Sequence, residues 1–408
     1  MWRNLASNTL TLLVVALFLA GGAVGWAMRE YRNPGPLEAA ICLRVAPGAS
    51  MRGVAEDLAG QGALASAAIF RIGTSYAGLD QSLKAGSFLV PAGASMERIA
   101  DIVTRGGAST CGAQIQYTIG VTRNFVQMRE LDPATTQFVE LARFDPAAEA
   151  PAPAEYDRLR ADADTQYSIV VVPGVTAWQV VRGLEGFELL TGEAGEVPPE
   201  GMLAPDSYQI TPGDDIAALL ARMRSAQERI LTEEWTNRDS GLPIASMEEA
   251  LTLASIIEKE TGLPEERPLV SSVLVNRIRA GWQLQFDPTI IYGITRGAGL
   301  FDRPIRQSDI DGTTERREHG SVEYNTYVIR GLPPGPIALP ARSAIHAALH
   351  PAATDYMFFV ATGDGSGGHE FAVTQGDHNR NVAAARARAA EAAAAREAEA
   401  AETETEAE

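Results

Sequence analysis

Apolar positions along the chain fall into three kinds of run, and each predicts a different element. No charged residue occurs from Asn4 to Met28, and Leu10 to Met28 supplies 19 mostly apolar residues in succession. That is close to the ~20 residues with which a helix crosses a bilayer. The segment predicts a transmembrane helix over 10–28, with residues 1–9 as a short cytoplasmic end. The run is longer than the apolar stretch of a cleavable signal peptide, and Trp26 suits an interfacial anchor. The helix is therefore read as retained, even though Ala23 and Gly25 are small enough to flank a cleavage site.

The second kind of run is short and repeated. VAPGASMRGVAEDL (Val45 to Leu58) and VPAGASMERIADIV (Val90 to Val103) align 45 residues apart, and VVPGVTAWQVVRGL (Val171 to Leu184) is a looser third copy. Each predicts a strand, a Pro/Gly turn and a helix whose first turn is capped by Ser50, Ser95 or Thr176, with Gln179 completing a capping box in the third. Residues 40–106 resemble a small LysM-like α+β module of the sort that grips cell-wall glycans; a generic α+β packing unit has the same pattern. Residues 107–167 interrupt the series as an insertion. They alternate like a strand from Gln114 to Val121, then pass through an Ala/Pro-rich stretch (Asp145 to Asp157) that cannot hold a ladder. QYTI at Gln116 and QYSI at Gln166 are candidate arms of one pairing. Residues 381–408 hold 14 alanines, seven acids and three arginines, so 383–408 is expected to be a solvated tail with nothing to pack.

The third kind has helical spacing. Ser246-Met-Glu-Glu249 reads as a capping box, and Leu251, Leu253, Ala254, Ile256 and Ile257 continue from it until Gly262 and Pro264 intervene, predicting a helix from Met247 to Thr261. Glu258 and Glu260 fall in its last turn, where the carbonyl end of the helix disfavours negative charge, so both carboxyls are expected to hold their protons more tightly than usual. At ~100° per residue, Glu260 projects between Leu253 and Ile256 on the apolar side. Glu258 lies closer to a polar stripe of Thr252, Ser255 and Lys259. Desolvation adds to the effect on Glu260, which suits a general acid near neutral pH. A charged turn facing water is the plainer alternative.

Charge and composition narrow the function. With 34 Lys+Arg against 52 Asp+Glu the formal charge is −18, and without a basic run the chain has nothing with which to neutralise phosphates, which excludes nucleic acid as a partner. Cys42 and Cys111 are the only cysteines, too few for a zinc cluster. His346 and His350 stand at i, i+4 spacing without a nearby third ligand motif, so no metal site is expected.

The run from Ala254 to Gly293 (ASIIEKETGLPEERPLVSSVLVNRIRAGWQLQFDPTIIYG) resembles the endolytic murein transglycosylases, the YceG-like family. The likeness continues through YNTY at Tyr324, GLPPGPI at Gly331, HPAATDYMFFVA at His350 and GGHEF at Gly367, and includes GMLAPDSY at Gly201. The insertion, Trp282 and the two cysteines depart from the family pattern. The resemblance implies an α+β protein with an N-terminal transmembrane helix, a LysM-like module and a larger α+β catalytic domain over 168–382. It also implies a single-pass inner-membrane lyase with its catalytic part in the periplasm, cutting peptidoglycan glycan strands beside penicillin-binding proteins and the elongation or division machinery. No cofactor is implied.

By that resemblance Glu260 is the catalytic acid. It protonates the oxygen leaving the MurNAc anomeric carbon, then takes the proton of that sugar's 6-hydroxyl, giving a 1,6-anhydro end and ending strand growth. Glu258, Gln285, Asp287, Tyr292, Asn325, Tyr327 and His369 are candidates to bind or orient the substrate. Asp287-Pro288 is equally an ordinary helix start, and Asn325 equally a turn residue. A non-enzymatic, membrane-anchored peptidoglycan-binding scaffold is the rival reading. A pyridoxal-phosphate lyase would need a Schiff-base lysine, for which only Lys259 is available outside the glycan module. Because the cysteines bracket the two clearest repeats and the periplasm permits oxidation, a Cys42–Cys111 disulfide is expected.

Overall fold

In the computed structural model, which describes residues 2–105, 111–148, 151–162, 164–313 and 321–406, fourteen helices and nine strands follow one another along the described residues. Their order is α1 (Trp2–Arg32), β1 (Ile41–Val45), α2 (Met51–Gly60), α3 (Ala67–Tyr76), β2 (Gly86–Val90), α4 (Met96–Arg105), β3 (Ala113–Ile119), β4 (Phe125–Asp132), β5 (Gln137–Phe144) and α5 (Ala154–Arg160). There follow β6 (Gln166–Val171), α6 (Ala177–Glu185), β7 (Ser207–Ile210), α7 (Ile216–Thr236), α8 (Met247–Glu260), α9 (Arg267–Arg279) and α10 (Asp287–Thr295). The last are α11 (Gln307–Ile310), α12 (Ser321–Tyr324), α13 (Arg342–Leu349), β8 (Phe358–Ala361), β9 (His369–Ala372) and α14 (Gln375–Glu406). The mixture is α+β. Parts of two expected segments, residue 106 of the module with 107–110 of the insertion and residues 149–150 of its Ala/Pro-rich stretch, lie outside the described residues.

The chain divides into two compact units, one of Met1–Gln116, Val126–Phe144 and Ala150–Tyr167, the other of Tyr117–Phe125, Asp145–Glu149 and Ser168–Glu408. In the first unit β1 and β2 pair antiparallel from Ile41↔Val90 to Val45↔Gly86. Gly48 and Gly93 follow these strands with φ of 77° and 66°, a conformation costly for any residue with a Cβ. Ser50 accepts the N–H of Gly53 and Ser95 that of Arg98, each at 3.2 Å. Leu43, Leu58, Phe70, Phe88 and Ile99 form the core. Phe70 belongs to α3, an element absent from the strand-turn-helix reading. Cys42 and Cys111 form a disulfide with 5.7 Å between Cα atoms.

The expected transmembrane helix lies within α1. Thr11–Arg32 is long and apolar enough to cross a membrane, with a mean hydropathy of 2.0. It runs past residue 28 because nothing breaks it before Pro34. In the five-stranded sheet of order β5-β4-β3-β6-β7, the strands carrying QYTI and QYSI are neighbours. The insertion also contains a hairpin, β4 and β5, with a bulge at Met128/Arg129, which the sequence reading did not contain.

The second unit is built around α8. Ser246 caps it by accepting the Glu249 N–H, while the Glu249 carboxylate accepts the N–H of Ala245, one residue earlier than in a reciprocal capping box. Every residue from Ala250 to Ile257 is buried, so the expected polar stripe does not face water. Its hydroxyls are satisfied inside the protein: Thr252 donates to the Glu248 carbonyl, and Ser255 donates to that of Thr252 while accepting the Ile337 N–H. Leu253 and Ile256 are wholly buried, each contributing about 1.5–3 kcal/mol. Gly201, at φ 82°, lets the GMLAPDSY segment pass where a Cβ would sit 2.8 Å from Pro336 and 2.9 Å from Leu251. The tail packs more than its composition predicts. α14 continues into it as far as Glu406, Ala385 is buried, and Arg388 donates to the Thr362 carbonyl and pairs with Glu370.

Candidate active site

Three consecutive charged residues close α8, and successive turns of ~100° send them to different places. Glu258 is anchored. Its Oε1 pairs with Arg267 at 3.0 Å and its Oε2 accepts the Ala341 N–H at 2.9 Å, with 5% of the side chain exposed. Burial raises its pKa, opposed by the Ala341 N–H and by Arg267. The sequence placed Glu258 near a polar stripe; the structure buries it, because Arg267 and the start of α13 close over that side. It does not line the cleft described next. Lys259 donates to the Gly174 carbonyl at 3.2 Å, and burial lowers its pKa.

Glu260 opens onto a cleft of about 360 Å³. Burial, followed by the negative charge of Asp287, pushes its carboxyl up to about 8, against the opposing pull of Arg277. The expected direction is present: desolvation, which the apolar side of the wheel implied, is its largest cause, and the charge of Asp287, which the sequence reading did not include, is the next. A carboxyl with this pKa is protonated at neutral pH and can donate.

Asp287, Gln285, Tyr327 and His369 line the same cleft. Asp287 is also the first residue of α10, ahead of Pro288, so its two readings hold together. The Tyr327 hydroxyl donates to its Oδ1 at 2.7 Å. Gln285 has φ 61°, an uncommon conformation for a residue with a side chain, and its N–H donates to the Thr326 carbonyl. His369 is tied to Glu266, its N–H to Oε1 and its Nδ1 to Oε2, each at 2.7 Å. Burial alone would raise the Glu266 pKa, but the bonds from His369 hold it below its ordinary value.

Besides Glu258, two candidates lie outside the cleft lining. Asn325 is buried and fully bonded: its amide donates to the carbonyls of Asp309 and Ile310, and its oxygen accepts the Tyr327 N–H. It shapes the turn that presents Tyr327. Tyr292 packs against Tyr324 with ring centroids 5.0 Å apart and planes tilted by 49°, and hydrogen-bonds Glu200.

A model of the YceG-like family matches residues 43–384. The chain belongs to the YceG-like family. Among relatives, it is 33% identical over 188 residues to the endolytic murein transglycosylase of Bacillus subtilis, covering 45% of this chain and 47% of that protein. It is 30% identical over 187 residues to the endolytic murein transglycosylase of Streptococcus pneumoniae serotype 2, covering 45% of this chain and 32% of that one. The alignments thus span less than half of either relative. A YceG-like protein of Listeria monocytogenes, known from a crystal structure, is 22% identical with a TM-score of 0.42, covering 84% of this chain and 99% of that one.

Sequence reasoning missed one residue that lines this candidate site, one that holds a lining residue, and one buried carboxyl outside the lining. Arg277, buried, donates to the carbonyls of Met357 and Leu284 and lines the cleft; in NRIR it looks like a surface cation. Glu266 holds His369 but sits in a run, PEER, that reads as solvated. Glu200 accepts the N–H groups of Ala177 and Gly201, and burial pushes its carboxyl up to about 7. Its place immediately before GMLAPDSY was the available signal. Among the described residues one group has metal-ligating potential, Glu234 with His346 and His350, and none of the three lines the cleft.

Proposed function

We propose that this chain is an endolytic lytic transglycosylase. It cleaves the MurNAc–GlcNAc bond of peptidoglycan strands, leaves 1,6-anhydro-MurNAc ends and so terminates nascent strands. The observation that carries the reading is Glu260, a carboxyl pushed up to about 8 at the wall of an open cleft, in a chain of the YceG-like family. Protonated Glu260 donates to the departing glycosidic oxygen, and the carboxylate left behind accepts the proton of the 6-hydroxyl as that oxygen attacks the anomeric carbon. One residue serves as acid and then base, so no nucleophilic carboxylate is required. Asp287, held by Tyr327, favours the protonated resting state of Glu260. Arg277 favours the charged state that follows proton donation.

Gln285, His369 and Tyr327 offer hydrogen bonds to sugar hydroxyl and N-acetyl groups. The β1-α2-α3-β2 unit serves as a LysM-like glycan grip, and α1 as a single-pass inner-membrane anchor with the remainder in the periplasm, beside the synthases that make the strand. Purified peptidoglycan digested with the wild-type chain and with Glu260→Gln tests this by mass spectrometry of the released ends. The expected result is 1,6-anhydro ends from the wild type and a loss of about 10²–10⁴-fold in the variant. Reducing ends from the wild type point instead to hydrolysis with Asp287 as the second carboxylate, and full activity in Glu260→Gln removes Glu260 from the reaction.

A further inference from the structure

Away from the cleft, α7 and α13 bring together three side chains that share one kind of chemistry. Glu234 stands near the end of α7, His346 lies within α13, and His350 is that helix's C-cap. One ligand atom from each lies within 4.8 Å of the others. We propose that these residues form a site for a divalent transition ion of the zinc class, held by one carboxylate and two imidazoles, which clasps α7 to α13. The two histidines alone lacked a third ligand in the sequence, and the fold supplies it from 112 positions before His346.

The spacing fits an ion. Glu234 Oε2 is 2.9 Å from His346 Nδ1. Atoms that each bind one ion at about 2.0–2.1 Å stand roughly 2.9–3.4 Å apart as the angle at the metal opens from square to tetrahedral. The His346 and His350 ring centroids are 4.3 Å apart, as i, i+4 placement allows. Outer partners are also present. Arg342 Nε donates to Glu234 Oε1 at 2.7 Å, which leaves Oε2 to His346. Asp239 Oδ1 lies 2.9 Å from His350 Nδ1, the carboxylate–imidazole contact that fixes a ligand ring and leaves Nε2 for the metal. Two imidazoles with one carboxylate favour zinc, nickel or copper over calcium or magnesium, which take oxygen ligands. A plain ion-pair network of Arg342, Glu234 and His346 would use some of the same atoms but would have no need of His350.

The test uses the full-length chain in detergent, stripped with chelator, titrated with zinc chloride by calorimetry and melted with and without the ion. One zinc per chain and a raised melting temperature are expected, both lost in His346→Gln, whose side chain is 58% exposed in the parent, and in His350→Gln. Asp239→Asn should weaken zinc by about 10–100-fold. His369→Gln, at the cleft, should leave the zinc response unchanged. No zinc binding by the parent, binding that survives His346→Gln, or binding that depends on His369 overturns the proposal.

Discussion

Helices α4 and α8 each start on a serine that accepts a backbone N–H three residues on, Arg98 in one and Glu249 in the other. Beyond that first turn they part. α4 buries Met96, Ile99, Ala100 and Val103 along one stripe and leaves Glu97 and Arg98 to water. α8 is buried all round from Ala250 to Ile257, so each polar side chain it carries needs its own partner within the protein. An amphipathic helix is held by its apolar face and its charges are interchangeable. A fully buried helix makes every charge individual, and desolvation then alters what a carboxyl can do.

The largest effect that would break this contrast is on Glu260. Its pKa is raised in the folded protein, from 4.5 to about 8, so the folded state binds the extra proton and stability is lost as pH rises from about 4.5 to about 8. At about 1.4 kcal/mol per unit the ceiling is near 5 kcal/mol, reduced by the contact of this half-buried side chain with the open cleft. Glu260→Gln should therefore be more stable than the parent above pH 8 and nearly equal to it at pH 4, measured by denaturant unfolding at both. Equal stability throughout would mean that Glu260 is solvated like the charges of α4.

Reducing the Cys42–Cys111 disulfide is next. It closes 69 residues of the first unit, and its loss should cost that unit about 4 kcal/mol in the chain-entropy model. Thermal melts with and without reductant measure this. Glu258→Gln follows at about 3 kcal/mol, because it strands Arg267 in a buried position; a loss under 1 kcal/mol would place the pair with ordinary surface bridges. The smallest is Ser50→Ala, expected to cost about 1 kcal/mol as the loss of one cap. A deeper loss there would mean that the first unit also depends on individual polar groups.

What the sequence made legible follows the same division. The caps at Ser50, Ser95 and Thr176 and the start of α8 depend on residues within a few positions, and they were readable. The direction of the Glu258 and Glu260 pKa shifts was readable too, from the carbonyl end of the helix for both and, for Glu260, from apolar neighbours on the wheel, whereas the burial that raises Glu258 was not. The partners were not. Arg267 and Ala341 reach Glu258 from 9 and 83 positions away, and Asn325 is satisfied by carbonyls 15 and 16 residues earlier. No local pattern encodes such distances. Helix α3 lies between the two repeats and outside their pattern; Ser66 caps it by accepting the Ile69 N–H, but it buries only Phe70 and Thr74, too few positions to give a helical period in the sequence. The tail looked unpackable because alanine and arginine carry no periodic apolar signal, yet Ala385 and Arg388 find contacts.

Three adjacent side chains at the end of α8 have different surroundings: Glu258 bonds Arg267 and the Ala341 N–H, Lys259 bonds the Gly174 carbonyl at the edge of the cleft, and Glu260 opens onto the cleft. Deleting or inserting a single residue within α8 would rotate all three together by about 100° relative to the elements that receive them. Random mutagenesis should therefore recover active variants with substitutions along α8 far more often than variants of altered helix length, whereas the hairpin turn between β4 and β5 should tolerate both. The helix works as a register, and its length is the quantity it conserves.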